Sequence, residues 1–151
     1  MTTLLVVHHS PGISLPAMLD AAIGGARSDG LEAVEVVVVD ALDVTSAQVL
    51  AADGYLLATP ANLGYMSGAL KHAFDTTYND ALGATVGRPY ALIVHGESDT
   101  TGAVLGVEKI TTGLDWRLCT QPVSVIGPVD TDGLAACSEA GAVVAATTLG
   151  F

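Results

Sequence analysis

The stretch Gly54-Tyr55-Leu56-Leu57-Ala58-Thr59-Pro60-Ala61-Asn62-Leu63-Gly64 opens with an apolar run that shows no polar alternation and stops at a proline. A strand with one wet face alternates apolar and polar residues; one that does not is buried on both faces, as strands are in parallel sheets covered by helices. Pro60 holds Thr59 extended and is expected to end the strand there. Four further runs share this character: Thr3–His9, Val34–Val39, Pro89–His95 and Gln121–Ile126. Between them lie segments of helical period: Leu15–Arg27, Met66–Tyr78, Gly102–Leu114 and Thr131–Leu149, with a short, weakly helical Ala41–Asp53. Strands that alternate with helices argue a doubly wound, five-stranded parallel sheet in three layers. The expected fold class is α/β.

The chain has 151 residues, enough for one domain (residues 1–151) with a full core. Half of it is apolar and only 14% is charged, with a mean hydropathy of +0.53. That excludes a disordered chain or a coiled coil. The apolar run Val36–Val39 lies between Glu35 and Asp40, far short of the ~20 residues of a membrane-spanning helix. No leader segment is visible, because Met1-Thr2-Thr3 has no basic flank and Leu4–Val7 ends at two histidines. The formal charge is −11, from 5 Lys and Arg against 16 Asp and Glu. Nucleic-acid binders need clustered cations, so no nucleic-acid partner is expected, nor insertion in a membrane. Cys119 and Cys137 share no metal or redox spacing and read as small hydrophobes in a reducing compartment, which makes the expected location cytoplasmic.

In doubly wound sheets ligands bind beyond the carboxyl ends of the strands, at the point where strand order reverses. The first such loop is His8-His9-Ser10-Pro11-Gly12-Ile13-Ser14-Leu15-Pro16. Ser14 is the expected N-cap of the helix that follows, and Pro16 suits its first turn. Gly12 permits close backbone approach. The hydroxyls of Ser10 and Ser14, with the free N–H groups of the helix start, make an anion site suited to one phosphate monoester. No Lys or Arg is present, which excludes a P-loop, and no G-x-G-x-x-G marks a dinucleotide. On these residues alone a capped helix after a turn explains the loop equally. The second loop, Pro60–Gly64, is apolar and stiff with Asn62 as its polar point, a surface for a flat aromatic ligand.

The pattern Thr59-Pro60-x-x-x-Gly64-x-Met66-Ser67-Gly68-x-Leu70-Lys71-x-x-x-Asp75 resembles the isoalloxazine loop of flavodoxin-like NAD(P)H-dependent FMN reductases and quinone reductases. The first loop resembles their phosphate loop, and His95–Gly102 stands where their third flavin loop lies. The order of strands and loops agrees over essentially the whole chain. The resemblance implies a flavodoxin-like three-layer sandwich with strand order 2-1-3-4-5, and FMN as cofactor. It further implies NADH or NADPH as electron donor and a small-molecule acceptor such as a quinone or free flavin. Carried over, Ser10, Gly12, Ile13, Ser14 and Leu15 hold the phosphate. Pro60, Ala61, Asn62, Leu63 and Gly64 line the ring, and His95, Gly96 and Gly102 its other edge. The chain departs from the pattern at Pro11, which lacks an N–H that commonly donates to the phosphate. It is also shorter than quinone reductases that carry insertions near the later strands. Members of the family form dimers or tetramers, so a homo-oligomer is implied.

No protein nucleophile is needed, because a flavin performs the redox chemistry itself. Glu97 and Asp99 are expected near the pyrimidine end of the ring, where a carboxylate opposes the negative charge of reduction. At ~6 Å and an effective dielectric near 20 that opposition is about 2–3 kcal/mol. The absence of a basic pair for a 2′-phosphate favours NADH over NADPH. His8 and His9 alternate across the first strand, so only one can face the site, and no further spacing supports a metal. Tyr65 is expected either to stack on a ligand or to cover its loop, Lys71 and His72 to lie on a solvated face, and Trp116 to pack. Two alternatives share the fold: a flavodoxin-type electron carrier that docks basic partners, and a flavin-free binding module.

Overall fold

The computed structural model describes residues 1–151. Its strands are β1 (Thr2–His8), β2 (Val34–Asp40), β3 (Gly54–Asn62), β4 (Tyr65–Met66), β5 (Pro89–Gly96), β6 (Arg117–Leu118) and β7 (Val123–Ile126). Its helices are α1 (Ser14–Ala26), α2 (Ser46–Ala51), α3 (Gly68–Ala81), α4 (Thr101–Gly113) and α5 (Thr131–Leu149). The sheet runs β2-β1-β3-β5-β6, with β7 also paired to β5. This is the flavodoxin-like α/β fold, with the fifth strand broken in two. β6 pairs with Pro89 and Tyr90, and β7 with Ile93–Gly96. Pro122, which has no N–H for a ladder, sits in the break, so the expected strand Gln121–Ile126 begins only at Val123.

The central strands bury both faces. Leu5, Val7, Tyr55, Leu57, Leu92 and Val94 pack under α2, α3 and α4, against Val49, Leu70, Phe74 and Val107. The alternate residues Leu4, Val6, Leu56, Ala58, Ala91 and Ile93 pack under α1 and α5, against Leu15, Met18, Ala22, Cys137 and Val144. Each fully buried Leu or Val contributes about 1.5–3 kcal/mol, which explains why the unalternated runs are legible as strands. Trp116 packs as expected: its ring stacks 3.8 Å from Tyr55, and its Nε1–H donates to Thr85 Oγ1 at 2.7 Å. Both cysteines are free thiols, and burial pushes Cys137 up to about 11. No helix is long and apolar enough to cross a membrane.

Pro60 does not end its strand. β3 runs on to Asn62 and turns back as β4, with Ala61 opposite Met66 and Asn62 opposite Tyr65. The carbonyl of Ala58 faces β1, where it accepts the N–H of His9. Two residues on, Pro60 faces the same way, but β1 has already ended opposite Ala58, so the missing N–H has no partner to lose. The tip of this hairpin is Leu63-Gly64, with φ of +51° and +76°. A two-residue turn with both φ positive matches the right-handed twist of the flanking strands. Met66, expected to open the third helix, belongs instead to β4, and α3 begins at Gly68 under the cap of Ser67, whose Oγ accepts the Leu70 N–H at 3.1 Å.

Two local features yield stability predictions. The helices α1 and α5 touch backbone to backbone: a Cβ on Gly141 would lie 1.8 Å from the Ala22 carbonyl oxygen. Gly24, two residues on from Ala22 in α1, faces open space. Gly141→Ala is therefore expected to destabilise by about 1–3 kcal/mol through overpacking, while Gly24→Ala stabilises by roughly 0.5–1 kcal/mol. Chemical denaturation of the pair decides this, and equal effects would contradict the close approach. Leu63 is fully exposed and left-handed, a conformation that costs a non-glycine residue roughly 1–2 kcal/mol, less for Asn. Leu63→Asn should raise the melting temperature by about 2–4 °C.

Candidate functional site

The carboxyl ends of β1, β3 and β5 open on a cleft of about 450 Å³. One wall is Pro11, Gly12, Ile13 and Ser14; the other is Pro60, Ala61 and Asn62 with His95, Gly96 and Glu97. A single-ligand cleft of this size is ordinary.

The first wall is the entrance to α1. Gly12 takes φ +83°, a left-handed turn open to glycine, and a Cβ there would meet nothing within 4 Å. The N-cap is Ile13 rather than Ser14, and it makes no side-chain cap. Ser14 is instead the first helical residue, and its Oγ accepts the Val129 N–H at 3.3 Å, tying this loop to the one before α5. The first amides of a helix have no partner one turn back, so those of Ser14 and Leu15 are free while Pro16 has none to offer. Leu15 gives only backbone to this end, because its side chain is buried under the sheet. Ser10, just outside the lining, is hydrogen-bonded to His8, Oγ to Nδ1, at 2.8 Å. Burial draws His8 below its ordinary range, opposed by Asp40 across the β1–β2 pair and assisted by His9. The Nδ1 atom of His9 is buried with no partner.

The second wall is braced from below. Thr59 is fully buried; its Oγ1 donates to the Pro60 carbonyl at 2.8 Å and accepts the Ser67 N–H at 2.9 Å, which locks the hairpin to the start of α3. Leu63 and Gly64 stand at the hairpin tip, beyond the lining. Gly102 does not line the cleft; it seats the hairpin, since a Cβ there would fall 1.8 Å from the Gly64 carbonyl oxygen. Tyr65, left open between two roles, lies over α4, with its ring where a Cβ on Gly106 would be.

At the third loop, His95 approaches the Gly127 carbonyl through Nε2 at 2.7 Å. A carbonyl can only accept, so Nε2 carries the hydrogen. Gly127 N–H in turn donates to the Gly96 carbonyl at 2.9 Å, which joins β5 to β7 at the cleft. Of the two carboxylates expected here, Glu97 lines the cleft and Asp99 does not. Asp99 accepts the N–H and hydroxyl of Thr101 at 3.0 and 2.8 Å, bonds that hold its carboxyl below the usual range and secure the start of α4.

The donor set is amides and hydroxyls around a mouth without Lys or Arg, and Glu97 is its one charged side chain. Such a set holds an anion through dipoles rather than cations. Pro11 and Glu97 line the cleft although they were not among the carried-over residues. Glu97 stands on the cleft wall as its expected place near the ring implies, and Pro11 lines the cleft although it offers no N–H.

Comparison with known proteins bears on the family and the fold. Residues 31–126, more than half of the chain, match the family model described as NADPH-dependent FMN reductase. No curated protein matches. Among solved structures, an archaeal flavodoxin superposes with a TM-score of 0.82 at 18% identity, covering 98% of this chain and 99% of that one. A WrbA-like flavodoxin from Agrobacterium tumefaciens gives 0.77 at 17% identity, covering 99% and 98%. An oxidoreductase from Corynebacterium diphtheriae gives 0.69 at 19% identity, covering 99% and 97%. At these identities the structures establish the fold, and the family model establishes the lineage: the chain belongs to the NADPH-dependent FMN reductase family.

Proposed function

We propose that this chain binds FMN in the cleft and passes electrons from a nicotinamide donor to a small acceptor, a quinone or a free flavin. The observation that carries the reading is the pairing of a cation-free helix N-terminus with a flat wall at the end of the reversal point of the sheet. A phosphate suits the amides of Gly12–Leu15 with the Ser10 and Ser14 hydroxyls. A planar ring suits the slot between Pro60–Asn62 and His95–Gly96, with Gly102 holding the hairpin at the right height. When bound, the flavin supplies the electron chemistry; the protein binds, orients and tunes.

The tuning falls to Glu97. Its carboxylate on the cleft wall disfavours added negative charge on a ring beside it, and solvent at this exposed position weakens the effect. Glu97→Gln is expected to raise the flavin's potential on the order of 20 mV. Asp99→Asn should leave the potential unchanged, because Asp99 holds Thr101 at the start of α4 instead of lining the cleft. Spectroelectrochemistry of the two loaded variants checks both, and a rise in Asp99→Asn alone would contradict the assignment.

The donor side is set by charge. No cation on the cleft wall answers a 2′-phosphate, so NADH is the expected donor although the family is named for NADPH. One observation favours the electron-carrier reading: Asp40 ends β2, and Glu97, Asp99 and Asp130 follow β5 and β7, at the functional edge. Lys71, the cation of α3, is paired with Asp75. That edge repels a polyanionic nucleotide and suits a basic partner. Anaerobic mixing of loaded protein with NADH separates the two readings. Rapid bleaching, faster with NADH than NADPH, supports the reductase; no bleaching with either, while dithionite still bleaches, supports the carrier.

A further inference from the structure

The phosphate subsite proposed above is short of donors. It has no Lys or Arg, and Pro11 and Pro16 withhold two N–H groups. Ser14 accepts from Val129 and keeps its own hydrogen to donate, whereas Ser10 is bonded to a titratable ring: His8 Nδ1 and Ser10 Oγ stand 2.8 Å apart. Which partner donates decides what Ser10 can do. If Nδ1 is bare, it takes the Ser10 hydrogen, and the hydroxyl has none left for an anion. If Nδ1 carries a proton, as it does in one neutral tautomer and always in the charged ring, it donates to the Ser10 oxygen and frees that hydrogen.

The geometry points to His8 as the positioning residue of the phosphate subsite: protonated at Nδ1, it turns the Ser10 O–H outward to a phosphate at the start of α1 and adds the positive charge the loop lacks. The inference rests on the FMN reading of the cleft and deepens it. The atom balance is simple. One proton from solvent moves to the imidazole as the dianion binds, and no bond of the ligand changes.

The surroundings of His8 fit this role. Asp40 lies opposite it on β2 and favours the charged ring; His9, next in the chain, opposes it. β3 sets only Ala58 beside it. Among the helices of this face and its edge, α2 has no titratable side chain, and neither Asp20 of α1 nor Asp132, Cys137 and Glu139 of α5 acts on it. Burial disfavours the charged ring in the free state, and an arriving dianion favours its charging. The sign follows: a group whose pKa rises on binding makes binding tighter as pH falls toward the bound-state value.

The test uses the full chain with two ligands, FMN and riboflavin, which lacks the phosphate. Dissociation constants are read by flavin fluorescence from pH 8 to 6.5, and proton uptake by calorimetry in two buffers of different ionisation enthalpy. Wild type should bind FMN about three- to tenfold more tightly at pH 6.5 than at pH 8 and take up a fraction of a proton. Riboflavin should show neither effect. His8→Gln and Ser10→Ala should each flatten the FMN profile and remove the uptake while still binding riboflavin. The second ionisation of the phosphate itself, near pH 6, is common to all three proteins and cancels between them. An unchanged FMN profile in His8→Gln overturns the role of His8. An unchanged profile in Ser10→Ala overturns the path through the hydroxyl. FMN binding with a flat profile in wild type overturns this inference alone, whereas failure of both flavins to bind overturns the flavin reading and this one with it.

Discussion

Burial of the central strands on both faces is the constraint from which the rest follows. Leu4–Val7, Tyr55–Ala58 and Ala91–Val94 lie between two helical layers, where an unpaired polar group is heavily penalised. Polar side chains are therefore driven to the strand ends. At the carboxyl ends the strand order reverses between β1 and β3, so the loops to α1 and α3 diverge and leave a cleft. The covering helices approach closely enough to close the core because they meet through small residues, as at Gly141 against Ala22. The same device recurs at the site, where Gly102 admits the Gly64 carbonyl and so fixes the hairpin that walls the cleft. Packing and binding geometry are here one problem.

A second constraint is electrostatic. A chain of net charge −11 with no cation on its cleft wall has to hold an anion through amide dipoles, hydroxyls and whatever charge a histidine can be induced to carry. The N-terminus of α1 supplies the dipoles. The prolines at 11 and 16 thin the donor set, and this gives the His8–Ser10 pair its weight.

Much of this architecture was legible in residue order, for physical reasons. Unalternated apolar runs mark doubly buried strands wherever they occur, and α5 has the bounds its helical period implies, Thr131–Leu149. The loops were legible through glycine, proline and hydroxyl residues, whose backbone effects are local. The misreadings concern partners distant in sequence. Pro60 reads as a strand end, but a proline is harmless where the neighbouring strand has stopped, and that depends on β1, fifty residues earlier. Ser14 reads as a cap until Val129, on the far side of the chain, engages its oxygen. Asp99 and Glu97 are two residues apart and alike in sequence, yet only the fold turns one into the cleft and the other onto α4. Leu63, the non-glycine residue in a left-handed turn, carries no sequence signal for that conformation; the pairing of β3 with β4 imposes it.

The central claim is that one flavin occupies the cleft between the α1 entrance and the β3–β4 hairpin. Amide chemical-shift mapping of isotope-labelled protein titrated with FMN tests it most directly. The account predicts saturable shifts at one equivalent, grouped at Gly12–Leu15, Ala61–Gly64 and Gly96–Glu97, with the amino-terminal edge around Trp116 silent. Shifts centred elsewhere, or none at saturating FMN, would contradict it.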